Sequence, residues 1–319
     1  HELKLQENMI ALPKNIDIVV RDYKTNIPLN SSYLFSILKD KYSDYDKSHL
    51  QNITFYQLLI DMFDSETADY MKDTLGYDAE FLQLNAHAAI NMFKDDLFDE
   101  TEYYVLKGGL SQIMDKMESA LKKRKNVTIL KKNELKKIFD DKIVTSIDTY
   151  NYKNLVLAIP QYNLKKLDEF KDFKPIDSVT PIELLRIYAT YPLSNGEPWF
   201  KDIKRTTTNN YIRHIIPIDY SKGLIMISYT DSLCAKLLAN LYSAGEEKLM
   251  EAIHKEINSL YDITPPKPKK VYFHYWNDAY SGLHVWKPGC DIDEIYPQIL
   301  QPDTKKNIYI CGETYSKKQ

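Results

Sequence analysis

Apolar residues recur at helical spacing through the first third of the chain. Tyr33, Leu34, Ile37 and Leu38 fall at i, i+1, i+4 and i+5, and Tyr56, Leu59, Ile60 and Phe63 line one face of a 3.6-residue period. No proline interrupts this region after Pro28. Residues 31–98 therefore predict several short helices, preceded by a β-like run at 16–20. Gly108-Gly109 opens the clearest helix, in which Leu110, Ile113, Met114, Met117 and Leu121 form a stripe. Lys122, Lys123 and Arg124 follow in its last turn, where positive charge meets the negative end of the helix dipole.

Beyond this helix the period changes from helical to two. A strand is expected at 127–130, then a hairpin pairing 143–148 with 154–159, stopped by Pro160. From Ser178 onward Leu185, Ile187, Ala189 and Tyr191 alternate with Arg186, Tyr188 and Thr190. Residues 211–218 and 224–230 read as neighbouring strands joined by a turn. Helices follow at 232–242 and 246–261, then an extended Pro265-Pro266-Lys267-Pro268 linker, a strand at 271–276 and a short one at 307–311. The expected class is a mixed α/β (α+β) protein.

The sequence has 319 residues, with 42 Lys+Arg against 45 Asp+Glu and a formal net charge of -3. This balance argues against a dedicated nucleic-acid binder, and no run approaches the roughly 18 apolar residues of a membrane-spanning helix. Only Arg21, Arg124, Arg186, Arg205 and Arg213 are arginine, so 42 − 5 leaves 37 lysines, beside 25 tyrosines and 9 glycines. Enrichment in Lys, Tyr, Asn and Ile is what an AT-rich genome produces, such as that of a protist or a large DNA virus, and speaks to origin rather than mechanism; the expected localisation is cytoplasmic or virion-associated. The scarcity of glycine leaves little for phosphate-cradling loops.

Cys234, Cys290 and Cys311 are odd in number and widely spaced, which predicts buried reduced thiols and no metal site. No G-x-S-x-G, Walker A or HExxH motif occurs. His254 and Glu256, two apart on a helix, read as a solvated surface, and His87 as a packed or capping histidine.

Two segments could carry chemistry. Between Trp276 and Trp286 stand Tyr280 and His284 on a glycine-kinked stretch. Such aromatic density suits either a flat conjugated ligand or a hydrophobic corner. The Ile308–Ile310 run ends in Cys311-Gly312-Glu313-Thr314, which either brings backbone close to a ligand at a strand's carboxyl end or makes an ordinary turn.

Taken in order, four stretches resemble the flavin-containing amine oxidase family, which includes monoamine and polyamine oxidases. They are Gly108-Gly109 with its helix; Leu155-Val156-Leu157-Ala158-Ile159-Pro160; the 225–231 run with the helix after it; and 276–289 followed by Cys311-Gly312-Glu313-Thr314. The resemblance implies a two-lobed fold: an entry segment at 1–29, a helical part of the substrate lobe at 30–105, a flavin-lobe segment at 106–168, the substrate-lobe sheet and helices at 169–275, and a second flavin-lobe segment at 276–319.

The resemblance also implies site residues. Gly108, Gly109, Ala158, Pro160, Trp276, His284, Gly312 and Glu313 fall where the family contacts FAD. Arg186 falls at the strand position of a lysine that holds water near the flavin; an arginine is always charged and cannot serve as a neutral base, though it can orient water. Tyr280, Trp286 and Tyr315 are candidates for the aromatic cage around the substrate amine. Leu283-His284 stand where a covalent member carries its flavin-linking cysteine, so the implied FAD is non-covalent. An amine, oxygen and a possible homo-oligomeric partner complete the expectation.

The family's G-x-G-x-x-G unit is not present. The expectation is that these residues are an internal part of a longer enzyme, inactive alone. Two functions stay open: an FAD-dependent oxidase converting a primary or secondary amine to an imine or aldehyde, and a non-catalytic structural or interaction protein built on the same scaffold.

Overall fold

The computed structural model describes residues 3, 5–11, 17–23, 31–96, 104–277, 282–304 and 306–317. The chain forms two compact units: His1–Asn15 with Asp99–Lys153, and Ile16–Phe98 with Asn154–Gln319. The 106–168 segment therefore lies partly in each, as does the 1–29 entry segment.

In the first unit Met9–Ala11 pairs antiparallel with Tyr104–Leu106. Gly108 and Gly109, both at φ 92°, turn the chain from that strand into the Ser111–Lys122 helix. Such a φ is easily reached only by glycine. Gln112 Nε2 closes the turn by donating to the Lys107 carbonyl at 2.6 Å. The helix forms as expected, but Leu110, Met114, Met117 and Leu121 of its apolar stripe are exposed.

A three-stranded meander follows, Leu135–Ile138, Lys142–Thr145 and Thr149–Asn151. The expected hairpin of 143–148 with 154–159 is not formed. Thr145 Oγ1 donates to the Asp148 carbonyl at 2.8 Å, and this tight turn folds the strand onto Thr149–Asn151 instead. No strand occupies 127–130; Val127 N–H bonds back to Arg124 at the helix end, and Ile129 and Leu130 are exposed.

The second unit opens with the Asp17–Val19 strand and the expected run of short helices. Their ends are punctuated by side chains. Thr54 and Gln57 form a reciprocal cap on Phe55–Met62, Asp64 caps Ser65–Leu75, and Gly76 at φ 76° ends that helix. The buried face of Phe55–Met62 is Phe55, Leu58 and Leu59, displaced from the expected one. Ile60 is exposed and Tyr56 donates its hydroxyl to Asp69 at 3.0 Å.

A six-stranded mixed sheet organises the unit, in the order Lys270–Trp276, Leu184–Thr190, Leu224–Asp231, His214–Asp219, Thr206–Thr208, Asp17–Val19. All neighbours are antiparallel except the last pair. The Ser232–Ser243 and Glu246–Tyr261 helices pack into its core with Leu185, Ile187 and Ala189. The period-two reading of Leu184–Thr190 holds, with every second residue fully buried.

His254 departs from its solvated-surface reading. It is part-buried, its Nε2 lies 2.8 Å from the Tyr191 hydroxyl, and burial pulls its pKa down. His87 pairs with Asn91 at 3.4 Å as a packed histidine.

The C-terminal part returns to pair with earlier strands. Leu155–Leu157 runs parallel to Ile308–Ile310, and Val179–Ile182 antiparallel to Leu283–Trp286. Gly282 allows the last pairing: a Cβ there would stand 2.2 Å from Leu184 Cβ. The aromatic stretch after Trp276 is therefore partly a strand. Cys234 and Cys290 are half-buried free thiols, whereas Cys311 is exposed at the end of its strand, contrary to the expected burial.

Candidate functional site

Alternation places Leu184, Arg186, Tyr188 and Thr190 on the sheet face opposite the core. A bulge decides what stands beside Arg186. The ladder pairs Met226 with Tyr188 and then shifts by one residue at Ile227, so that Tyr229 rather than Ser228 opposes Arg186. On the other side His274 is the partner of Arg186, Tyr272 of Tyr188, and Trp276 of Leu184.

The result is an aromatic face with one guanidinium at its centre. Arg186 Cζ lies 4.5 Å above the Tyr229 ring. The Tyr229 and Tyr188 hydroxyls are its hydrogen-bonding neighbours. Tyr188 meets His274 edge-on at 6.3 Å, and His274 stacks near Trp276 at 6.1 Å. Lys270 Nζ sits 4.4 Å over the Tyr272 ring at the strand's start.

A polar layer supports Tyr229. His214 packs against Tyr229 at 5.6 Å and against Tyr77 at 4.9 Å, and its Nδ1 lies 3.2 Å from Thr207 Oγ1. Burial, reinforced by Arg205 and Arg213, pulls its pKa down to about 3, so the ring is neutral at physiological pH. Gly76 fits this contact, since a Cβ there would come within 2.7 Å of the His214 ring.

Deeper still, buried Arg213 binds Asp73 at 2.9 Å and also Asp78, tying the helical segment to the sheet. Asp231 accepts the Asp78 N–H at 3.2 Å. Glu80 is held protonated-prone by burial and by the Asp231 charge, and Glu80 Oε2 and Asp231 Oδ1 are closed off from solvent.

A second locus lies where the two parallel strands end. Ala158 and Gly312 are exposed there, and Gly312, at φ 118°, has open space where a Cβ would stand. Carboxyl ends of parallel strands are a recurrent place for ligands. Glu313 is bound to the protein rather than free: it accepts the His284 N–H at 3.2 Å and lies 3.5 Å from His284 Nδ1.

The expected site residues fall on several elements. Arg186 and Trp276 share the sheet face. Ala158 and Gly312 present exposed backbone at the strand ends, half-buried Pro160 follows Ala158, and Glu313 is joined to buried His284. Gly108 and Gly109 belong to the first unit.

Trp286 and Tyr315, expected in the amine cage, are 1% and 4% exposed. Trp286 Nε1 donates to the Ser316 carbonyl at 2.9 Å and the Tyr315 hydroxyl to the Ile176 carbonyl at 3.2 Å, so both polar atoms are used within the fold. Tyr280 lies outside the described residues. The period-two pattern in the sequence places Tyr188 and Thr190 on one face with Arg186, but nothing in it points to Tyr229 or His274, and the bulge that brings Tyr229 there has no local signal.

The model of the flavin-containing amine oxidoreductase family matches residues 36–318, and the chain belongs to that family. Among solved structures, a double mutant of putrescine oxidase, made in a redesign of cofactor binding, has the same fold. Its TM-score is 0.71 at 14% identity, with 99% of this chain and 79% of that one covered. No curated protein matches the sequence. The family uses a flavin. Gly312 leaves open space beside its backbone, and Arg186 presents a guanidinium over the Tyr229 ring.

Proposed function

We propose that the chain is the amine-oxidising part of an FAD-dependent enzyme that converts a primary or secondary amine to an imine or aldehyde with oxygen as acceptor. The observation that carries this reading is the sheet face itself: a guanidinium 4.5 Å over Tyr229, framed by Tyr188, His274 and Trp276, in a chain of the amine oxidoreductase family.

Bound FAD, held without a covalent link because Leu283 and His284 stand where a linking cysteine would be, supplies acceptance of a hydride equivalent from the amine carbon. The chain's own residues prepare that transfer. Aromatic rings offer flat apolar surface to the amine, which is oxidised as the neutral form whose nitrogen lone pair drives the loss of hydride. Arg186 remains charged throughout and so acts by position and field, orienting water or an anion, never as a base. His214 stays neutral and fixes Tyr229 by packing.

Gly312 and Ala158 offer backbone to the cofactor, and Trp276 is its aromatic neighbour in this reading. Amine, water and oxygen then give aldehyde and hydrogen peroxide, with ammonia released from a primary amine and a smaller amine from a secondary one.

The test is anaerobic mixing of the flavoprotein, expressed from its complete coding sequence, with a panel of primary and secondary amines. Bleaching of the flavin by at least one amine supports the reading. A bound flavin that no amine reduces returns the protein to the non-catalytic scaffold.

A further inference from the structure

Arg186 has no counter-charge among the described residues. Among the described residues no carboxylate lies within 4.0 Å of its guanidinium, and its partners are two neutral phenols. Its Nε–H has no acceptor at all. An Arg fork with neutral partners keeps most of its capacity for a planar anion, because two parallel charge-assisted bonds to a carboxylate are far stronger than bonds to phenols.

The rest of the face leans the same way. His274 and Tyr229 flank Arg186 in the ladder, Tyr188 and Tyr272 come next, and Lys270 ends the row. None is acidic. The nearest acid along the Tyr229 strand, Asp231, is 3% exposed, accepts the Asp78 N–H, and has its other oxygen closed off. Glu80 Oε2 is equally closed. Among the described residues no carboxylate of this face is open to a second ammonium.

Resting on the amine-oxidising reading above, we propose that Arg186 receives the anionic end of the substrate, so that the preferred amines carry a carboxylate on the same molecule. A second ammonium would meet an uncompensated guanidinium. The reaction is unchanged: the carbon bearing the amine is oxidised, the carboxylate is retained, and oxygen takes the electrons.

The experiment uses the complete flavoprotein and four six-carbon probes: hexylamine, 1,6-diaminohexane, 6-aminohexanoate and 2-aminohexanoate. Binding of hexanoate, which has the anion and no amine, is read separately by isothermal titration. One aminohexanoate is expected to exceed both hexylamine and the diamine in kcat/KM, and which of the two does so locates the carboxylate relative to the amine. In Arg186→Gln the ratio of that aminohexanoate to hexylamine should fall about 10- to 100-fold, the worth of one charge-assisted contact. Arg186→Lys should recover part of the ratio, and hexanoate binding should vanish in Arg186→Gln.

A diamine that outperforms both amino acids, or a ratio unchanged by Arg186→Gln, would overturn the proposal while leaving amine oxidation standing. If no probe is oxidised, the broader reading fails, and hexanoate binding that is absent or indifferent to Arg186 still sinks this one.

Discussion

Tyr229 stands opposite Arg186 because the strand carrying it holds one extra residue at Ile227, and the guanidinium then rests 4.5 Å above the phenol ring. Cation–π contacts of this kind are worth about 0.5–2 kcal/mol, increasing with desolvation. Tyr229→Phe keeps the ring and should leave the denaturant midpoint near that of the parent. Tyr229→Ala removes it and should lower stability by more than that range, since a half-buried ring is lost as well. Equal effects of the two variants in urea unfolding would show that the hydroxyl, not the ring, holds Arg186.

His214 gives a pH signature. Its folded pKa is pulled down to about 3, chiefly by burial, from an ordinary value of 6.5. The unfolded chain therefore binds the extra proton first. Stability from this group is complete above the ordinary value and falls as the pH drops below it, by at most about 1.4 kcal/mol per pH unit. Thermal unfolding between pH 7.5 and 5 should be steeper in the parent than in His214→Gln. Parallel curves would mean that the histidine gains a partner on protonation.

Glu80 acts in the opposite direction. Burial and the Asp231 charge raise its pKa, so the folded state holds a proton that the unfolded state releases. Its contribution is present below the ordinary carboxyl range and is lost as the pH rises toward the raised value. Glu80→Gln should thus become more stable than the parent as the pH is raised from 5 to 8. A difference that is flat across this range in calorimetry would contradict the assignment.

Buried Arg213 neutralises Asp73 and Asp78 together. Arg213→Met leaves Asp78 without its cation and Asp73 with only Lys72 at 3.8 Å, and should cost about 3–5 kcal/mol, the usual penalty for breaking a buried pair. The triple variant that adds Asp73→Asn and Asp78→Asn should recover most of the loss. If Arg213→Met alone is tolerated, the cluster is more hydrated than its burial implies.

The sequence was informative where one physical rule acted alone. The Leu184–Thr190 alternation gave the sheet face on which Arg186 lies, and the apolar spacing from Leu233 and Leu249 gave both helices that cover the other face. It was silent where distant partners decide. The Leu155–Leu157 strand pairs with Ile308–Ile310, some 150 residues away, so no local pattern distinguished it from half of a hairpin. Trp286 and Tyr315 were expected in the amine cage from the family resemblance, and their hydrogen bonds to the distant Ser316 and Ile176 carbonyls have no local signal in the sequence. Tyr229 reached the site only through a bulge.

The most direct test of the account is the rate at which an amine bleaches the flavin of the complete protein without oxygen, in the parent and in Arg186→Gln. The account predicts bleaching by an amine that carries a carboxylate, with kred/Kd for that amine lowered about 10- to 100-fold by the substitution. A flavin that no amine bleaches, or one bleached equally well in both proteins, would contradict it.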